Sequence, residues 1–328
     1  MDVPKISHCP GTLKEGYSTY SSTALKRVFG GKKVSHILPY ESPSTNEITD
    51  ELFTENRKRI SISGVQEKFS VLLEKNKLRL INEGEQGTYI LKPIPNAGKN
   101  ADQMPANEHL TMQIARQVFD IETAENALIF FSNGAQAYIT KRFDVNPDGS
   151  KRAQEDFASI SGRTPQTHGK DYKYEGNYLE LFELLKAHSP AYIVEALKLF
   201  KLIVFNYVFS NGDAHFKNFS LVETPLGDHK LSPAYDLLNS RIHIKDKDFA
   251  LFGGLLPKDE TTGRVKQQFY KLGEMASISL HQVDGIFNEL ISNNEKVYSL
   301  IEDSFLKDRF KRNYGQTYQT RINKLLRP

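Results

Sequence analysis

NYVFSNGDAHFKNFSLV (residues 206–222), followed after a short polar excursion by LSPAYD (231–236), is the stretch that decides how this 328-residue chain is read. Asp213 and Asn218 stand five residues apart, and Gly212 lets the backbone turn tightly just before Asp213. Phe219–Val222 then forms a short apolar strand that would hold the loop rigid. Asp236 follows 18 residues after Asn218, beyond a hairpin expected at Pro225–Lys230. A carboxylate, a carboxamide and a second carboxylate in this order suit phosphoryl transfer. That reaction needs positioning, neutralisation of phosphate charge by magnesium, and a carboxylate to take a hydroxyl proton. Asn-Gly-Asp is also the sequence of a plain turn, and from these residues alone both readings stand.

Composition narrows the field. Forty-three basic and 40 acidic residues leave a net charge of +3, which gives no electrostatic footprint for bulk nucleic-acid binding. Cys9 is the only cysteine, so the chain has no internal disulfide and no multi-cysteine zinc site, as suits a reducing compartment. The nine histidines show no His-Glu-x-x-His spacing. Leu202–Gly212 is uncharged but far short of the roughly 20 apolar residues of a membrane span. MDVPKISHCPGTLKEG at the start lacks the apolar core of a secretory signal. A cytoplasmic protein with no membrane partner is expected.

Working outward, residues 1–60 are polar and turn-rich, with one short helix expected over Ser22–Phe29. Strand-like runs cover 68–73, 77–81 and 88–92, separated by Asn and Gly turn residues. Pro105 opens a helix whose apolar stripe is Leu110, Ile114, Ala115 and Val118. Strands at 127–131 and 135–143 follow, joined by Ser132-Asn133-Gly134. Residues 144–176 read as loop or linker; helices are expected at 178–187 and 191–209. Val283, Ile286, Phe287, Leu290 and Ile291 mark one face of a further helix. Strands first and helices after define an α+β chain. The expected division is an N-terminal extension over 1–60 packed on the N-lobe, a β-rich N-lobe over 61–144 with the phosphate loop and the nucleotide lysine, and a mainly helical C-lobe over 145–328 with the catalytic loop and metal site. A cleft between two such lobes is a favoured place for a ligand.

Upstream candidates for a nucleotide are individually weak. The loop SISGVQEKFS (61–70) sits where a phosphate-covering loop belongs, yet Gly64 alone satisfies neither G-x-G-x-x-G nor the P-loop pattern. Lys92 ends an apolar strand, YILKP, and Glu108 in the next helix is placed either to pair with it or to complement the helix dipole. His215 reads as a structural histidine or a site residue, and Lys217 as a solvated lysine or a phosphate contact.

Taken together, SISGVQEK, YILKP, NEHLTM, ITKRFD, QED (154–156), NGDAHFKNFS and SPAYD resemble the HipA-type serine/threonine protein kinases, the toxins of bacterial toxin–antitoxin modules. Motif similarity covers about residues 58–245. HipA proper carries an additional subdomain before the SIS-type loop, where this chain has 60 residues, so its layout is similar to the short HipT-like kinases of three-component modules. The resemblance implies a bilobal, protein-kinase-like fold that uses ATP and Mg2+. It implies Asp213 as catalytic base, Asn218 and Asp236 as metal ligands, and Lys92, supported by Glu108, on the phosphates. Ser63, Gly64, Val65, Gln66, His215 and Lys217 would also lie by the nucleotide, with Arg142, Phe143 and Asp144 at the hinge. Ser61 and Ser63 match autophosphorylation positions. A phosphoserine there would add about −1.5 to −2 charges to a loop meant to hold phosphates and would silence the enzyme. The implied partners are an aminoacyl-tRNA synthetase substrate, a helix-turn-helix HipB-like antitoxin that supplies any DNA contact, and a small HipS-like protein. The chain departs from protein kinases proper in having Asp236-Leu-Leu in place of Asp-Phe-Gly. Two rival readings are a small-molecule kinase of the aminoglycoside or choline type and a non-catalytic kinase-like scaffold.

Overall fold

A computed structural model describes residues 4–43, 67–146, 148–244 and 247–327. Contacts divide the chain into two compact units: Met1–Gln113 with Ala124–Ser150 and Ser299–Lys311, and Ile114–Thr123 with Lys151–Tyr298 and Arg312–Pro328.

The first unit is built on an antiparallel sheet of β1 (Phe69–Glu74), β2 (Lys77–Leu80), β3 (Tyr89–Pro93), β4 (Asn126–Phe130) and β5 (Gln136–Lys141), in spatial order β2-β1-β3-β5-β4. Period-two alternation sends Tyr89, Leu91, Ala127, Ile129, Ala137 and Ile139 to one face. There the N-terminal segment supplies Cys9, Tyr20, Ala24, Val28 and Phe29, so residues expected to be polar and turn-rich complete a core. Its helix α1 (Ser22–Phe29) starts because Ser21 caps Ala24 N–H and stops at Gly30 in the left-handed region, φ 62°. Long-range hydrogen bonds fix it to the sheet: Tyr20 Oη donates to Leu128 O at 2.6 Å and Tyr89 Oη to Val28 O at 2.9 Å. The opposite face carries Lys92 and Tyr138, which are register partners across β3 and β5.

The second unit is mainly helical. It contains α5 (Leu179–His188), α6 (Tyr192–Val208), α7 (Val265–Met275) and α8 (Leu280–Ser292), together with parts of three helices whose ends fall in the first unit: α2 (Met104–Phe119), α9 (Asn294–Glu302) and α10 (Asp308–Leu326). Helix α6 buries every residue from Leu202 to Val208, as an all-round apolar helix must. Val283, Ile286, Phe287 and Leu290 of α8 are buried as the periodicity predicts, while Ile291 at the edge of that face is part-exposed. Phe119, Phe205, Phe209 and Tyr318 form a run of ring contacts; Phe205 and Phe209 stack at 4.3 Å.

Residues 144–176, expected as loop, hold three short elements: β6 (Gln154–Asp156), α3 (Phe157–Ile160) and α4 (Pro165–His168). The cause is local capping plus one non-local pairing. Asp156 caps α3 and Thr164 caps α4, which has Pro165 at its first turn. Strand β6 exists because β7 (Ser220–Glu223) pairs with it, and β8 (His229–Leu231) completes the small sheet. That sheet rests on α6, where the buried Glu195 accepts Leu231 N–H at 3.0 Å.

Candidate active site

The loop after α6 is pinned at several points before it reaches Asp213. Ser210, with φ 54°, offers its carbonyl to both N–H and Oγ of Ser240, at 3.0 and 2.8 Å. Ser240 Oγ in turn accepts Gly212 N–H at 2.8 Å. Asn211 bridges the buried Asn206 Oδ1 (2.9 Å), the Asp236 carbonyl (3.4 Å) and Asp213 N–H (3.3 Å). A non-glycine residue with positive φ needs such over-determination by its surroundings to persist. Asp236 has the same feature at φ 56°.

Asp213 presents a half-exposed carboxylate whose Oδ1 accepts the Tyr174 hydroxyl at 2.6 Å. Burial, reinforced by the Asp213 charge, raises the Tyr174 pKa, so the phenol stays a donor. His215 Nε2 lies 3.8 Å from the same oxygen, beyond a hydrogen bond. Burial holds His215 down to about pKa 4, with Lys173 adding to the effect and the charges of Asp213 and Asp236 opposing it. His215 therefore senses both carboxylates. Asn218 Oδ1 accepts His215 N–H at 3.1 Å, which fixes the amide and leaves that oxygen its second lone pair. Asn218 and Asp236 thus offer oxygen donors of the kind magnesium takes, in the small number it needs when substrate phosphates supply the rest. Among the described residues no group of three or more His, Cys, Asp and Glu is placed to hold a metal without such help.

Lys217 is directed to Asp156, Nζ to Oδ2 at 2.9 Å, and burial of its ammonium is outweighed by that partner, so its pKa is raised. Tyr235 Oη secures the Lys217 carbonyl at 2.9 Å and meets Ser220 Oγ at 2.5 Å. The loop is therefore tied to β7 and to the segment preceding Asp236.

In the first unit, Lys92 Nζ meets Glu108 Oε1 at 2.6 Å, with both side chains 3% exposed, and lies 5.3 Å from the Tyr138 ring centroid. Glu108 is in the second turn of α2, so the ion pair and not the helix dipole accounts for it. Each charge is buried because the other is present, and removing one strands its partner. Arg142 and Asp144 form a bidentate pair at 2.9 and 2.5 Å, and Arg142 N–H extends the β5 edge by donating to Thr88 O at 2.9 Å. Phe143 lies between them in the chain. Ser61, Ser63, Gly64, Val65 and Gln66 lie outside the described residues.

Three residues with direct bearing on this geometry were not among the expected site residues: Tyr174, Asp156 as the partner of Lys217, and the buried Arg321, which reaches Ser210 Oγ at 3.2 Å. Only Asp156 had a signal, as the last residue of QED.

Buried neutral histidine makes stability depend on pH. Above about pH 6.5 His215 is neutral in both folded and unfolded chains and the full stability is present. Between about pH 6.5 and 4 only the unfolded chain takes the proton, so stability falls as pH falls. His109, fully buried and lowered to about 3 by burial and by Arg27, acts in the same direction. Urea unfolding of the wild type at pH 7 and pH 4.5 should show a loss of roughly 2–3 kcal/mol per histidine. His215→Asn should flatten part of that slope; an unaltered slope in the variant would remove His215 from the account.

The β-rich and helical units, with an acid-amide-acid loop in one and a buried Lys–Glu pair in the other, define a kinase-like fold of the HipA type. The solved structure of the toxin HipA of Shewanella oneidensis, determined in complex with HipB and operator DNA, aligns with a TM-score of 0.61 at 18% identity. The alignment covers 81% of this chain and 64% of HipA. A family model described as the HipA-like C-terminal domain matches residues 60–298, and the chain belongs to that family. A relative in Haemophilus influenzae, named "Putative kinase", is 23% identical over 93% of this chain and 92% of its own length. "Putative kinase Y4dM" of Sinorhizobium fredii is 33% identical over 60% of this chain, which spans 48% of that protein. Among the described residues no helix is long and apolar enough to cross a membrane.

Proposed function

We propose that this chain is an ATP- and Mg2+-dependent serine/threonine protein kinase and the toxin of a toxin–antitoxin module, similar in layout to the short HipT-like kinases. The carrying observation is the Asp213 carboxylate, half-exposed on a loop pinned through Ser210, Asn211 and Ser240, with the Asn218 amide bonded to His215 N–H and Asn211 bonded to the Asp236 carbonyl. Asp213 would take the proton of the acceptor hydroxyl, and Asn218 and Asp236 would hold the metal. Lys92, oriented by Glu108, would face the phosphates; Arg142–Asp144 would border the adenine. Magnesium, when bound, neutralises charge on the phosphates being transferred. Lys217, engaged by Asp156, would serve chiefly to brace the loop.

The SIS loop would lie over the phosphates, and phosphorylation of Ser61 or Ser63 would repel them and restrain the enzyme. HipA's own assembly with HipB and DNA supports a HipB-like partner for this chain. A HipS-like protein and an aminoacyl-tRNA synthetase substrate complete the proposal by family likeness.

Thermal unfolding with and without ATP and Mg2+ tests the core of it. Wild type should be stabilised by the pair together, by about 2.7 kcal/mol at a hundredfold excess over Kd, and Asp236→Ala should lose most of that gain. Labelled γ-phosphate should then appear on Ser61 or Ser63 and on a protein acceptor. A wild type indifferent to nucleotide and metal would leave the scaffold reading; transfer to aminoglycosides or choline alone would favour the small-molecule kinase.

A further inference from the structure

Beside Asp213 lies an aromatic step that the phosphoryl-transfer residues do not use. Tyr174, the donor to Asp213 Oδ1, has its ring edge-on to His215 at 5.0 Å and stacked on Phe252 at 5.8 Å, with the planes 23° apart. Phe252 is 54% exposed, the one exposed phenylalanine among the described residues. Its position is imposed by the backbone. Phe252 N–H donates to Tyr174 O at 2.9 Å, Gly253 N–H to Gly176 O at 2.8 Å and Tyr178 N–H to Gly254 O at 3.0 Å. The approach is so close that a Cβ on Gly253 would stand 2.6 Å from Gly176 O, and Gly176 has φ 108°. The chain is thus laced to the 174–178 segment at Phe252 and at the two glycines after it, which holds the ring outward.

Charge accompanies the rings. Lys247 Nζ lies 5.5 Å from the Phe252 ring centroid and Lys173 Nζ 5.0 Å from that of Tyr174. Of the nearby acids, Asp248 is engaged by Arg321 and Lys324, and Asp171 acts on Tyr174. One ammonium group therefore lies at the exposed Phe252 ring and a second at the Tyr174 ring, which stands between Phe252 and the proton acceptor.

We infer that Phe252, with Lys247 and Lys173, is the acceptor-recognition surface of the proposed kinase. It would take a protein segment that places an apolar or aromatic side chain on Phe252 and carboxylates on the two lysines, next to the serine or threonine delivered to Asp213. This rests on the kinase reading given above. Tyr174 is a positioning residue: its hydroxyl occupies Oδ1 and leaves Oδ2 to the acceptor. A nucleic acid could also use rings and lysines, but the stack leads to a carboxylate suited to a hydroxyl proton, and the chain's net charge is only +3.

The test is phosphorylation of a positional serine-peptide library by the full chain, comparing wild type with Phe252→Ala and Lys247→Glu. Wild type should prefer apolar and acidic residues flanking the serine. Phe252→Ala should raise the peptide KM about tenfold with little change in the KM for ATP, as expected for loss of an aromatic anchor. Lys247→Glu, on an exposed side chain whose backbone contacts stay, should shift the flank preference from acidic towards basic. Equal KM and equal preference in all three proteins would overturn the inference and leave the kinase reading standing. Phosphorylation of the chain itself without any library peptide would do the same. No transfer of any kind, with no stabilisation by ATP and Mg2+, would overturn both. If an RNA oligonucleotide suppresses peptide phosphorylation by the wild type but not by Phe252→Ala, the surface binds nucleic acid and the inference falls.

Discussion

Replacing Asp213 with asparagine should cut phosphate transfer roughly 100- to 10,000-fold, the range for loss of a general base. The substitution is nearly isosteric, and its amide oxygen can still accept the Tyr174 hydroxyl that Oδ1 accepts at 2.6 Å. What it loses is the capacity to take a proton. Because Asp213 is half-exposed and its loop is fixed by Ser210, Asn211 and Ser240, the unfolding midpoint should stay close to that of the wild type. The measurement is the initial rate of γ-phosphate transfer to protein acceptor at saturating ATP. Single-turnover kinetics should place the loss in the chemical step and not in nucleotide binding. A variant keeping more than about a tenth of the wild-type rate would take Asp213 out of the role of base.

The sequence made the local half of this protein readable. Ser21 and Gly30 bracket α1 by capping chemistry, and the apolar positions of α8 announce their buried face. Strand alternation around Tyr89–Pro93 and Gln136–Lys141 places Lys92 on the face opposite the apolar core. These features depend on neighbours a few residues away, and patterns of three to four or of two residues report them. The seven motifs added the family, which the match over residues 60–298 shows.

What escaped was set by partners distant in the chain. Tyr174 and Asp213 are 39 residues apart, Asp156 and Lys217 are 61 apart, and Ser210 and Arg321 are 111 apart. Nothing in a lysine says whether its charge will meet a phosphate or an aspartate; Lys217 has Asp156 because β6 pairs with β7. The three polar residues of β6 have no alternation to betray a strand. In the N-terminal segment, expected to pack on the N-lobe, it was the individual core residues that escaped, for a related reason. Its apolar residues are spaced irregularly, yet Cys9, Tyr20, Val28 and Val34 all pack on one sheet face. Which of its residues join the core was visible only once the sheet existed to receive them.

Arg321→Met should destabilise the fold by roughly 1–3 kcal/mol, the cost of leaving buried acceptors without their donor. Arg321 is fully buried on α10, its guanidinium 4.7 Å from the Tyr207 ring centroid. Nε donates to Ser210 Oγ at 3.2 Å, a second nitrogen donates to Lys247 O at 3.2 Å, and the third meets the Asp248 carboxylate. Burial works to raise the Asp248 pKa, but Lys324 and Arg321 together hold it below the ordinary aspartate value. Methionine matches the length and the apolar stem but supplies none of the donors. Lys324 would still partner Asp248, which argues for the lower part of the range. Arg321→Lys keeps the charge without the planar fork and should fall between the two. Urea unfolding at pH 7 would measure this, with an unchanged m-value confirming a change in stability and not in the unfolded ensemble. The chemistry should suffer as well. Arg321 holds Ser210 in its positive-φ conformation three residues ahead of Asp213, and it fixes the backbone at Lys247 five residues ahead of Phe252. Assayed where the Met variant is still folded, transfer should drop by more than the folded fraction accounts for. A loss under about 1 kcal/mol, the worth of an exposed pair, with full activity would mean that this buried arginine merely fills space.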